Sequence, residues 1–249
     1  MIRFIVSTTQ RTGATFFVNC LSSHPQIQTQ KAGFGQKHFV IFSFDKRKTG
    51  YYLYRSQSIK RQFDHLFRRK RLVYEYMATH YQPVDGVKAM GLKVSYNYTE
   101  KYPALLEWLG EQDDLRVIHY VRDNVLKTVI SRETARKRDL HHSTRKVGPV
   151  KVCLQPDKLI RTLALITEQV EKYRQAFPGK PYLEVSYESF TSRRDDETRR
   201  ILQFLDIDQF VSLSTNLVKL NPDSIEDLVE NYEEVAQALR GTVYEKYLD

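Results

Sequence analysis

Residues 4–21 read Phe4-Ile5-Val6-Ser7-Thr8-Thr9-Gln10-Arg11-Thr12-Gly13-Ala14-Thr15-Phe16-Phe17-Val18-Asn19-Cys20-Leu21: an apolar run, a polar turn with one glycine, then an apolar helical pattern. That succession predicts a strand, an anion-cradling loop and a helix. A helix starting near Gly13 turns its unpaired N–H groups and the positive end of its dipole back into the loop, where a phosphate or sulfate oxygen can accept. Gly13 lets the backbone come close, Thr12 and Thr15 add hydroxyl donors, and Arg11 brings a charge that persists at any physiological pH. The ordinary nucleoside triphosphate loop requires a second glycine followed by Lys and then Ser or Thr. This segment lacks that sequence, so an ATPase or GTPase is disfavoured.

Outward from this segment, short apolar runs at 3–7, 87–95, 115–121 and 181–186 alternate with helical patterns at 13–22, 56–80, 98–110, 125–137, 157–177, 195–205 and 224–239. The expected fold class is α/β: a P-loop-like three-layer α/β/α arrangement with a central parallel sheet flanked by helices. Residues 1–249 read as one domain, with 38–55 read as an inserted β-hairpin, because two aromatic-rich runs flank Asp45-Lys46-Arg47-Lys48-Thr49-Gly50. Ligands of open α/β sheets bind beyond the carboxyl ends of the strands, so 7–15, 93–96 and 122–124 are expected to share a crevice.

Composition narrows the partners. Lys and Arg outnumber Asp and Glu by 39 to 30, a formal charge of +9 that favours acidic ligands or surfaces. The densest cluster, Arg68-Arg69-Lys70-Arg71, reads as a solvated charged face. No nucleic-acid module is visible, so no nucleic-acid partner is expected. No apolar stretch reaches transmembrane length and the start lacks a signal-peptide layout, so the expected location is the cytoplasm. Cys20 and Cys153 lack metal-ligand spacing; Cys20 reads as a buried free thiol on the first helix.

Residues 118–132, Ile118-His119-Tyr120-Val121-Arg122-Asp123-Asn124-Val125-Leu126-Lys127-Thr128-Val129-Ile130-Ser131-Arg132, repeat the opening design: apolar strand, charged turn, helix. Arg122 at the strand end offers a bidentate donor to a second anion, with Ser131 about two helical turns further on. Two anion sites on one sheet imply a ligand with two separated anionic groups.

Together these segments resemble the sulfotransferase family, bacterial and carbohydrate members above all. The first loop is similar to that family's 5′-phosphosulfate loop and the second segment to its 3′-phosphate motif. Leu21-Ser22-Ser23-His24-Pro25-Gln26-Ile27, Gly91-Leu92-Lys93-Val94, Tyr187-Glu188-Ser189-Phe190, Ile201-Leu202-Gln203-Phe204-Leu205 and Asn231-Tyr232-Glu233-Glu234-Val235 resemble further family elements in the same order. The resemblance implies sulfuryl transfer from 3′-phosphoadenosine 5′-phosphosulfate, released as 3′-phosphoadenosine 5′-phosphate, to a hydroxyl or amine of a small-molecule or glycan acceptor, without a metal. It assigns Arg11 to the sulfuryl group, Thr12, Gly13, Ala14 and Thr15 to the 5′-phosphate, Arg122 and Ser131 to the 3′-phosphate, and Tyr187 to adenine.

Two departures stand out: Gln10 occupies the place of the usual Pro, and Arg122 and Ser131 are one residue further apart than in many members. An acceptor hydroxyl also needs a general base. The Glu that many bacterial members carry after the His-Pro-Gln-Ile segment is absent; His38 is the nearest titratable replacement, with Glu75 and His80 as further candidates, and an acceptor already anionic or activated needs no protein base. Lys93 is a further candidate for contact with donor or acceptor, whereas His24 reads as an organiser of the helix end and His119 as a packed strand residue. The alternative is a catalytically degenerate protein of the same fold that holds the nucleotide or an acidic polymer without turnover.

Overall fold

The computed structural model describes residues 1–29, 50–79, 81, 84–138, 148, 150–217, 221 and 224–248. Among them, strands β1 (Ile2–Thr8), β2 (Ile27–Thr29), β3 (Ala89–Ser95), β4 (Leu115–Val121) and β5 (Tyr182–Ser186) form one sheet in the order β2-β3-β1-β4-β5. Every pairing is parallel, as the apolar runs require. The helices are α1 (Ala14–Leu21), α2 (Gly50–Ser56), α3 (Ile59–Phe67), α4 (Arg69–Ala78), α5 (Tyr96–Lys101), α6 (Pro103–Gly110), α7 (Val125–Arg138), α8 (Pro156–Arg174), α9 (Tyr187–Ser192), α10 (Arg194–Phe204) and α11 (Tyr232–Leu239). Among the described residues no helix is long and apolar enough to cross a membrane.

Alternation along the strands feeds two cores. Phe4, Val6, Ile118 and Tyr120 pack with Phe17 and Leu21 of α1, Phe190 of α9 and Ile201 of α10. Ile5, Leu92 and Val117 point the other way and pack with Leu72, Val73 and Met77 of α4 and Leu105 and Leu109 of α6. The Phe17 ring stacks on Tyr120 at 4.2 Å, which fixes α1 over β4 and thereby sets where the loop between β1 and α1 lies. A third cluster joins α7, α8 and α11 through Leu126, Ile130, Leu163, Ile166, Val235 and Leu239. From β1 the chain runs first to the β2 side and later to the β4 side. The carboxyl end of β1 therefore stands where the strand order reverses, and the crevice opens there.

Several expectations are corrected. Residues 51–54 lie in α2, so the second arm of the hairpin read at 38–55 is helical; its first arm lies outside the described residues. The helix read over 56–80 is broken twice. Ser58 sits in the extended region and its side chain accepts from the Arg61 N–H at 3.1 Å, and Arg68 leaves helical geometry at φ −136°, ψ 41°. Pro103 divides the helix read over 98–110, since the residue before a proline is pushed out of the helical region and Tyr102 adopts φ −126°, ψ 78°. Helix α11 begins only at Tyr232, after turns that pair Val152 with Val229 in a single parallel bridge.

Gly91 pairs in register with Phe4, and a Cβ built there would lie 2.1 Å from the phenyl ring. A side chain at 91 would displace the ring that anchors β1 to the first core. Gly91→Ala is therefore expected to lower stability by about 1–3 kcal/mol, measured by chemical denaturation. An unchanged midpoint would mean that Phe4 is not fixed against this strand.

Candidate active site

The loop from Thr9 to Gly13 leaves β1 and enters α1 through two residues in the left-handed region, Arg11 at φ 69° and Gly13 at φ 87°. For Arg11 this conformation costs about 1–2 kcal/mol, which the surrounding contacts must offset. Gly13 is required twice over. Its φ suits glycine, and a Cβ there would lie 2.6 Å from a ring carbon of Tyr187.

Side-chain bonds hold the loop in shape. Thr8 Oγ1 lies 2.7 Å from both the Tyr120 carbonyl and the Thr12 hydroxyl. Having one proton, it donates to the carbonyl and accepts from Thr12. Thr12 is buried, and its hydroxyl is engaged inside the loop rather than turned toward a ligand. What Thr12 has left to offer an anion is its backbone. Gly13 occupies the N-cap of α1 and no side chain caps that helix, so its first turn presents N–H groups to the crevice. Lys93 reaches across from β3 and donates to Thr15 Oγ1 at 3.1 Å.

Arg122 and Ser131 come to this loop from β4 and α7. Arg11 Nε donates to Ser131 Oγ at 3.2 Å, so the two segments read as anion sites are in direct contact. The Arg122 guanidinium lies 4.8 Å from the Tyr187 ring centroid, with its Nε 3.7 Å from Glu188. Glu188 also accepts from the Asp123 N–H at 2.9 Å, while Asn124 Oδ1 accepts from the Lys127 N–H at 3.0 Å and caps α7. The corner between β5 and α9 thus clamps the turn between β4 and α7. Tyr187 stands where Gly13 and Arg122 meet.

The sequence reading missed Arg132 and Glu188. Arg132 Nη2 donates to Thr9 Oγ1 at 3.0 Å and so brings a third guanidinium to the loop. Its only signal was adjacency to Ser131, in a run of basic residues. The Nε–H groups of both Arg122 and Arg132 are buried and find no hydrogen-bond acceptor among the described residues. A buried donor without an acceptor is costly, so both suit a ligand oxygen.

Electrostatics agree with the geometry. Burial, then Arg122 and Arg132, pulls Arg11 below the usual guanidinium range, and burial does the same to Arg132. Burial and then Arg11 push the Lys93 ammonium down to about 8. An anion in the crevice would oppose these shifts by favouring the charged forms.

The remaining candidates separate cleanly. Glu75 lies on the exposed face of α4, paired with Arg71 at 2.8 Å, and is not among the groups gathered at the loop. His38 and His80 lie outside the described residues. His24 is buried, with Nε2 2.9 Å from the Gln209 carbonyl and Nδ1 accepting from the Gln26 N–H. His119 is fully buried, 2.6 Å from the Tyr182 hydroxyl and 3.1 Å from Glu184, and burial pushes its imidazole down to about 4. Both act as packing and hydrogen-bonding residues. Cys20 is buried, and burial pushes its thiol up to about 11.

A parallel sheet with a strand–loop–helix cradle at the reversal of strand order is the P-loop-like α/β class, and the sulfotransferase-family model matches residues 4–211. The chain belongs to the sulfotransferase family. Among solved structures it is similar to the sulfotransferase domain of the Synechococcus PCC 7002 olefin synthase, at 15% identity and TM-score 0.51 over 96% of this chain and 86% of that one. A sulfotransferase from Alicyclobacillus acidocaldarius aligns at 17% identity and TM-score 0.49 over 100% and 94% of the two chains. A mouse sulfotransferase complexed with PAP aligns at 15% and 0.45, over 85% of this chain and 61% of its own length. No curated protein matches by sequence.

Lys93 gives the crevice a pH dependence. With its folded pKa near 8 and an anion favouring the charged form, binding above pH 8 must take up a proton, whereas below pH 8 the proton is already present. Sulfate, whose own charge is constant in this range, is expected to bind with constant affinity up to about pH 8. Above that, affinity should fall by up to about tenfold per pH unit. Lys93→Met is expected to remove the decline, as measured by calorimetry from pH 7 to 9.5.

Proposed function

We propose that this protein transfers a sulfuryl group from 3′-phosphoadenosine 5′-phosphosulfate to a hydroxyl or amine of a small-molecule or glycan acceptor. One observation carries the reading: three guanidiniums and an ammonium converge on an uncapped helix N-terminus, and two of the guanidiniums hold buried donors without acceptors. A ligand with two anionic groups would supply what this crevice lacks.

In this proposal the backbone of Thr12, Gly13, Ala14 and Thr15, with the Thr15 hydroxyl, receives the 5′-phosphate at the head of α1. Arg122 and Ser131 receive the 3′-phosphate, and Arg132 joins them. Tyr187, assigned to adenine by the family resemblance, also sets the spacing between Gly13 and Arg122. Transfer of a sulfuryl group in line, like that of a phosphoryl group, builds charge on the leaving oxygen and on the equatorial oxygens. Arg11 stabilises that charge from a backbone position held in advance, so little reorganisation is needed at the moment of reaction. His38 is proposed as the general base, with His80 as the next candidate and no protein base if the acceptor is already anionic; Glu75, paired with Arg71 on the exposed face of α4, is the weakest of the three.

The donor assignment is tested by calorimetry with 3′-phosphoadenosine 5′-phosphate and 5′-AMP. The bisphosphate is expected to bind far more tightly, and Arg122→Ala to remove most of the difference, about 2–4 kcal/mol. Equal affinities for the two nucleotides would overturn it.

The reaction is tested by screening labelled donor against carbohydrate and phenolic hydroxyls. With an acceptor so found, Arg11→Ala is expected to cut turnover about 100- to 1000-fold while changing donor affinity much less. Tight nucleotide binding with no transfer to any acceptor would instead favour a degenerate binding protein.

A further inference from the structure

Helix α3 is built inside out. A surface helix ordinarily buries its apolar stripe and exposes its charges. In α3 the inward residues are polar: Asp64 is buried, His65 Nδ1 lies 3.2 Å from the Tyr51 hydroxyl, and the Arg61 guanidinium sits 3.8 Å over the Tyr54 ring. The outward residues are Ile59, Phe63, Leu66 and Phe67, at 86%, 53%, 70% and 69% exposure. At 100° per residue these four fall within an arc of about 100°, and the rings of Phe63 and Phe67 lie 4.5 Å apart. Together they form one contiguous apolar stripe.

Cations border that stripe. Residues 58–71 hold six Lys or Arg and one Asp, and the Asp is the buried Asp64. Lys70 and Arg71 engage Glu107 at 2.6 Å and Glu75 at 2.8 Å, so the excess charge is carried by exposed Lys60, Arg68 and Arg69 and half-buried Arg61. Residues 67–71 with Tyr74 and Glu75 also line an open depression beside the stripe.

We propose that α3 and the start of α4 dock the protein on an anionic lipid bilayer, with Ile59, Phe63, Leu66 and Phe67 entering the boundary between headgroups and acyl chains. Lys60, Arg68 and Arg69 then meet the lipid phosphates. An apolar stripe of this size on a short helix, rimmed by basic residues, is the arrangement that lies in a membrane interface. Charge decides between a bilayer and a second copy of this chain. Pairing the face with itself would bring two sets of like charges together, whereas an anionic surface neutralises them. None of these residues belongs to the crevice around Arg11, so the docking face and the crevice can be tested separately.

The test is co-sedimentation of the full chain with phosphatidylcholine vesicles, with and without phosphatidylglycerol. Binding is expected to the phosphatidylglycerol vesicles and to weaken with salt. Phe63→Glu with Leu66→Glu should abolish it, and Arg68→Gln and Arg69→Gln should each weaken it about fivefold. All variants should keep wild-type affinity for 3′-phosphoadenosine 5′-phosphate, or for sulfate if the bisphosphate does not bind the parent protein. Three results would overturn the proposal: no binding to either vesicle, binding indifferent to the glutamate pair, or dimerisation through Phe63 and Leu66 in sedimentation velocity without vesicle binding. Retention on heparin that depends on Arg68 and Arg69, with no vesicle binding, would assign the face to an acidic polymer instead.

Discussion

Arg11, Arg122, Arg132 and Lys93 are drawn around a few residues of loop, where burial works against the charges of Arg11, Arg132 and Lys93, and neighbouring guanidiniums work further against Arg11 and Lys93. Each of these three would be more stable in water. The fold holds them there by packing that has nothing to do with charge: Phe17 on Tyr120 seats α1, and Phe4 over Gly91 seats β1. Glu188 beside Arg122 is partly occupied with the backbone of Asp123, and Glu133 offsets part of the penalty that burial places on Arg132. Stability given up here becomes affinity when an anion arrives, because a pre-positioned set of donors loses little entropy on binding.

Much of the fold was legible because a parallel sheet leaves a plain signature. β4 runs over the residues its apolar run predicts, β1 is longer than its run by one residue at each end, and β3 and β5 start two residues and one residue later than theirs. β2 escaped because three residues carry too short a period to register. The breaks at Ser58, Arg68 and Pro103 escaped because apolar spacing continued across them, although the proline and the serine cap were visible. Backbone geometry at those points outweighed side-chain pattern.

The candidate site was legible in its backbone and less so in its side chains. Arg11 and Gly13 stand in the loop after β1, Arg122 follows β4 and Ser131 lies about two turns further on, positions that the strand–turn–helix pattern marks in sequence. Thr12 reads as a ligand hydroxyl in sequence, yet its hydroxyl turns inward to Thr8, a choice made by tertiary contact with Tyr120. Arg132 could not be told from its basic neighbours, since only the docking of α7 decides that it faces Thr9. Lys93 is a candidate by its place in the sheet, but its lowered titration comes from the loss of solvent and then from Arg11, which no local spacing reveals. The residues between β2 and α2, where His38 falls, lie outside the described chain.

The loop at residues 9–13 closes only against distant parts of the chain: Arg11 bonds Ser131, 120 positions away, and Gly13 rests on Tyr187 beyond β5. Such contacts form late, because the intervening chain must first be ordered. During synthesis, therefore, the first strand, loop and helix exist long before their own surroundings do. A chain cut short before Tyr182 would keep Arg11, Lys93, Arg122, Ser131 and Arg132 but lose the ring on which Gly13 rests and the carboxylate that clamps the turn after β4, so the last strand of the sheet finishes a crevice that the earlier ones begin.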